Sequence, residues 1–331
     1  MASQIAINTD PARGLPPAVA GATNQALVTE WNFEGATMPR VSSETARHTF
    51  RALEPIHGMI YFSPYGPECY AEIGLKQRGM TYFAPRSAPM GPVPAEVTIA
   101  TFFNFNPVAV HSALPAAWQI ASPADVLEAR YEAVDRSLRR AWGEDVDSGA
   151  VREAADLARR AAERACERPQ GRPLFAGHAE LPWPSAPHMV LWHAQTLLRE
   201  FRGDGHVALL LTEGLDGLEA LITHSATGII GAEVLRVSRY WSEQEWAAGV
   251  ERLRSRGWLL DGPGLALSAE GGRRRQSIEL RTDELAVYPY EELGEEGCSR
   301  LRELALPLTK AVVNADLGFP AELVARHTRA Q

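Results

Sequence analysis

The hydrophobic pattern of this chain reads as a succession of helices, most of them bracketed by start and stop signals. The first is Ser43–Leu53, with Ser42 or Ser43 as cap, Glu44 in the first turn and Pro55 to end or kink it. A second apolar stretch, IHGMIYF, follows, and Glu68–Leu75 is helical. Ala95–Phe103 fits a helix or a strand, and Asn106–Pro107 starts a helix reaching about Trp118. Ser122 caps the next, with Pro123 at its first position and Asp125 in its first turn, and it runs to about Trp142. Gly149–Cys166 is amphipathic.

The second half reads the same way. A helix from about His188 to Phe201 is interrupted at Gly203–Gly205 and resumes over His206–Thr212. Asp216–Thr227 is helical and ends at Gly228, and Gly231–Tyr240 is short. Ser242 and Glu245 form a capping box. Trp258–Leu260 and Leu265–Leu267 flank DGPG as a hairpin, Ser268 caps a helix to about Ala286, and Cys298–Asn314 is the last.

One stretch organises the rest: GMTYFAPRSAPMGPVPAEVTIATFFNF, Gly79–Phe105. After Arg86 no Lys or Arg occurs until Arg130, although the chain carries 33 basic residues. Such a stretch belongs mostly inside, lining a core or a pocket. Residues 1–40 lack periodicity and read as a disordered leader. Residues 41–168 form an N-terminal helical repeat, 169–187 a Pro-rich linker, and 188–331 a C-terminal repeat. The repeats share an order of matching segments. HTFRAL at His48 pairs with HAQTLL at His193, EIGL at Glu72 with EGL at Glu213, and AEVTIATFF at Ala95 with AEVLRVSRYW at Ala232.

The length, 331 residues, fits two domains or one large one. The net charge of -8 argues against a nucleic-acid footprint over the whole surface, without excluding a local basic patch. Cys69, Cys166 and Cys298 form no metal pair or disulfide framework, which fits a reducing cytoplasm. No apolar run is long enough for a membrane span.

The run WSEQEWAAGVERLRSRGWLLDGPGLALSAEGGRRRQSIELRTDELA resembles the recognition helix and wing of MarR-type regulators. From about Thr45 onward the chain also resembles an actinobacterial helix-turn-helix family, on EPIHGMIYF, GMTYFAPRSAPMGPVPAEV, LPWP and FRGDGHVALL. These resemblances imply an all-α fold with a small β-wing. MarR-type regulators act as dimers, so two tandem winged-helix-like halves would form an intramolecular pseudo-dimer. They carry no catalytic roles.

A DNA-binding reading rests on Arg252, Arg254 and Arg256 of the recognition helix and on Arg273, Arg274 and Arg275 after the wing. Glu243, Glu245 and Glu251 share that helix, and its counterpart PVAVHSALPAAW has no Lys or Arg. Nucleic acid is therefore the weaker partner. Among the histidines, His57, His206 and His224 are candidates for a metal or haem, though no metal motif marks them and no cofactor follows from the sequence. Arg86, alone in its uncharged stretch, needs an anion: Glu72, Glu96, Asp204 or a ligand group. The reading that results is a small-molecule-binding protein, with or without catalysis, acting as monomer or homodimer. Its pocket between the repeats takes an apolar or aromatic molecule, contacted by Arg86, His57, Tyr82, His206, Tyr61, Phe103 and Asp204. A DNA-binding regulator with an effector pocket and a His-ligated metal or haem enzyme are the alternatives.

Overall fold

Local signals set the starts of the helices. The computed structural model describes residues 41–319, so the leader expected at 1–40 lies outside the described residues. Helix α1 (Ser43–Gly58) starts at Ser42, whose hydroxyl accepts from Thr45 N–H, and runs through Pro55. A 3-10 turn leads to α2 (Tyr65–Glu72), and then come α3 (Met80–Ser87), α4 (Ala95–Phe102) and the short α5 (Pro107–His111). The helix expected to reach Trp118 thus stops at His111, short of Pro115, and resumes only as a 3-10 turn at Ala116–Gln119. Helix α6 (Pro123–Trp142) carries the capping box of Ser122 and Asp125. Helix α7 (Gly149–Ala165) follows. Within the Pro-rich stretch, α8 (Pro173–Ala179) buries Leu174 and Phe175.

Helix α9 (Pro187–Thr212) passes through Gly203 and Gly205 without interruption, which corrects the expected break. Glycine costs about 1 kcal/mol in a helix. The packing of α9 against α1, α7, α8 and α13 outweighs that cost. Helices α10 (Gly217–Ser225), α11 (Ala232–Ser238) and α12 (Glu243–Ser255) follow, α12 with the Ser242–Glu245 box. The expected wing reduces to one antiparallel bridge, Leu259 to Leu267, and no strand forms among the described residues. Helices α13 (Ala269–Leu285), α14 (Val287–Tyr290) and α15 (Gly294–Asn314) are the last among the described residues.

Two hydrophobic clusters hold these helices. The larger joins α1, α6, the first half of α9 and α15, with α7 filling it through alanines. The smaller joins the end of α9 to α10, α12, the hairpin and α13, around Trp246, Leu253 and Trp258. Helix α1 packs on α15, and α9 on α7. The organising stretch is inside only in part: Phe83, Ala84, Phe102 and Phe105 are buried, but Pro92, Pro94, Glu96, Val97 and Ala100 between them are exposed, which corrects the expectation that it lies mostly inside. Its last residues dock on the smaller cluster. Trp241 Nε1 donates to Asn104 O at 3.0 Å, and Asn106 N–H donates to Arg239 O at 3.0 Å. Gly217 permits this approach, because a Cβ there would stand 1.9 Å from Phe103 O. No described helix is long and apolar enough to cross a membrane.

Candidate functional site

A cavity of about 540 Å³ lies where α3, α4 and α9 face α10, the end of α11 and α13. One side is aromatic. Phe102 and Phe105 lie with ring centroids 6.5 Å apart, and Tyr82 and Phe105 at 5.3 Å. Tyr82 and Arg86 are one turn apart on α3 and share a face. Arg86 Nη1 donates to Tyr82 OH at 2.9 Å, and its guanidinium lies over the Phe102 ring at 4.3 Å.

The polar floor comes from α9. Arg199 donates from Nε to Glu54 at 3.0 Å and from Nη1 to Glu200 at 2.7 Å. Glu200 is also the carboxylate that faces Arg86, at 3.9 Å. This corrects the expected partners Glu72, Glu96 and Asp204. Arg239, at the end of α11, lies over Phe105 at 4.9 Å. At the far end Arg275 pairs with Glu279 at 2.6 Å and donates to His224 Nδ1 at 3.4 Å.

Of the residues expected at the site, Arg86, Tyr82, Phe103, Asp204 and His206 line the cavity, and the metal candidate His224 lines it too. His57 and Tyr61 stand behind the wall. Thr196 Oγ1 donates to Trp192 O, so it accepts from His57 Nδ1 at 2.8 Å, which leaves His57 Nε2 to accept from Tyr61 OH at 2.9 Å. Burial, and then the Arg199 charge, holds this imidazole neutral well below the usual histidine range. His206 is likewise lowered by burial and donates to Thr282 Oγ1 at 2.9 Å. The described residues contain no group of three His, Cys, Asp or Glu placed to hold a metal ion.

Asp204 accepts from Phe175 N–H at 2.9 Å, and burial pushes its carboxyl up to about 7. The folded state therefore holds a proton that the unfolded chain has lost between about pH 4 and pH 7. Stability falls as pH rises through that window. Asp204→Asn keeps an acceptor for Phe175 and cannot ionise. Its Tm advantage over the parent chain should grow from about pH 4 to pH 7 and then level off; a constant difference across the window refutes the assignment.

Among the charged cavity residues, Glu54, Arg199, Glu200, Arg239, Arg275 and Glu279 were not expected there. A signal existed for two of them: Arg199 and Glu200 interrupt the apolar run HMVLWHAQTLL.

The candidate DNA-reading arginines are engaged internally. Arg252 pairs with Asp216 at 2.9 Å and Glu219 at 3.2 Å, and Arg256 with Glu219 at 2.8 Å. Arg254 holds Glu251 at 2.6 Å and the carbonyl of Gly262 at 2.6 Å. Arg273 pairs with Glu270, and Arg274 with Glu213 at 3.0 Å. The outward face of α12 presents Glu243 and Glu251, 87% and 70% exposed.

A family model described as a helix-turn-helix family matches residues 46–319. No curated protein matches the chain, and no solved structure does.

Proposed function

The chain belongs to this helix-turn-helix family, and from that premise we propose that it is a small-molecule-binding protein made of two tandem winged-helix-like repeats. The repeats would be joined as an intramolecular pseudo-dimer. Matching backbone features support the duplication. Gly74 and Gly214, in the paired EIGL and EGL segments, both have positive φ, 89° and 67°. The following leucines make the same return bond, Leu75 N–H to Tyr70 O and Leu215 N–H to Leu210 O. Phe103 and Tyr240, at the ends of the paired AEV segments, share a positive φ, uncommon outside glycine, 57° and 64°. Paired positions also meet each other, as expected about a two-fold axis: Glu54 bonds Arg199, and Asn104 bonds Trp241.

The cavity is the observation that carries the binding reading. Its volume, about 540 Å³, suits a small molecule, and its walls combine an aromatic side with a few charged groups. Thermal-shift screening of small aromatics against the full chain tests it. A saturable rise in Tm with at least one compound is expected, and none across charged and neutral aromatics refutes it.

A DNA-binding regulator is the second reading. It is favoured by the order α11, α12, hairpin and α13, which is that of a winged helix. The internal ion pairs and the acidic face of α12 weigh against it. DNA binding through arginines should fall steeply with salt. A gel shift on genomic fragments at physiological salt should leave no competitor-resistant complex; a tight resistant one would put the regulator reading first.

A further inference from the structure

We infer that the molecule taken by this cavity is an aromatic monocarboxylate, its anionic group held between Arg86 and Arg239 and its ring among Tyr82, Phe102 and Phe105. The inference rests on the small-molecule reading above and specifies the ligand class.

Charge balance at the aromatic end is the first argument. Three guanidiniums, Arg86, Arg199 and Arg239, meet there with two carboxylates, Glu54 and Glu200. Arg199 takes the close bonds of both carboxylates. Arg86 is left with Glu200 at 3.9 Å, beyond hydrogen-bond reach, and a phenol. Arg239 makes no ion pair among the described residues. Its Nη1 donates to Ser238 Oγ at 2.9 Å, and its buried Nε has no partner there. One added negative charge would balance the cluster. A second would meet Glu200 and Glu54 without a further cation.

Geometry is the second argument. Arg86 lies over Phe102 and Arg239 over Phe105, at 4.3 Å and 4.9 Å. The two cations thus flank one aromatic wall. A guanidinium fork matches a carboxylate edge, and Tyr82, Phe102 and Phe105 give a flat ring an apolar wall to lie against. Burial, with Arg86 and Arg199 nearby, also pulls Arg239 below the usual arginine range, which a bound anion would relieve. Arg239 is held in place from outside the cavity, because its carbonyl accepts from Asn106 N–H.

The test is calorimetric titration of the full chain with 2-naphthoate, its neutral amide 2-naphthamide, and 2-naphthylmethylamine. We expect naphthoate to bind at least tenfold more tightly than the amide, and the amine to bind most weakly. Arg239→Gln should weaken naphthoate at least tenfold and leave naphthamide unchanged. Arg239→Lys should restore part of the loss, and an unaltered Tm would establish that both variants fold. Arg86→Gln provides a second variant with the same expected pattern. Equal affinity for naphthoate and naphthamide would overturn the inference and leave the cavity reading standing. No binding by any of the three probes would overturn both.

Discussion

Trp192→Ala should lower the unfolding free energy by about 3–5 kcal/mol, the usual cost of deleting a large aromatic from a core. Trp192 is 1% exposed and lies on α9, within the larger cluster. His57 stacks on it at 5.6 Å with planes 8° apart, Tyr131 meets it edge-on at 5.5 Å, and the Arg130 guanidinium lies 5.2 Å from its centroid. Its indole N–H has no partner among the described residues, so packing carries the loss. Trp192→Phe should therefore retain most of the stability. Urea unfolding of the three proteins checks this. An alanine variant within about 1 kcal/mol of the parent would mean that the site collapses around the void, contrary to the packing described.

Asp283→Ala should cost a similar amount, about 3–5 kcal/mol, by a different route. The Asp283 side chain is 1% exposed and accepts from Arg202 at 2.7 Å and Arg47 at 3.2 Å. It therefore ties α13 to α9 and α1 at once. Removing it leaves two partly buried guanidiniums facing each other, with only Glu279, 3.8 Å from Arg202, as a remaining anion. The penalty comes from those stranded charges, so it should shrink when one of them is removed as well. Asp283→Leu combined with Arg202→Met should unfold at a higher urea concentration than Asp283→Leu alone. If the double variant is the less stable of the two, the stranded Arg202 charge is not the source of the penalty.

Helix starts were legible because caps are local chemistry. Ser122 with Asp125, Ser242 with Glu245, and Ser268 each mark in sequence the position where the helix begins. Family membership and the helical class were legible too. Features decided by packing were hidden. Gly203 and Gly205 signalled a break, but α9 runs on through both, packed against neighbouring helices. The Pro-rich stretch contains a helix because Leu174 and Phe175 reach the core. At the site, Arg86 stood out as a lone charge in apolar surroundings. Its carboxylate partner did not, since Glu200 approaches only after α3 and α9 pack together. Arg239 was read as part of a repeat match, and nothing local in AEVLRVSRYW distinguishes an arginine that turns inward.

The packing of α1 against α15 has a consequence for how the chain is made. Ser42 N–H donates to Glu295 at 2.8 Å, and Arg302 donates to Thr49 at 3.0 Å, each across 253 positions of sequence. At roughly 5–20 residues per second, the ribosome needs roughly 13–50 s to deliver that partner. Throughout that interval α1 lacks α15, a main packing partner, although α9 is already available to it. The first of the described helices is thus fully sheltered only when the last of them is made, and a nascent-chain chaperone has a target and a window in which to hold it.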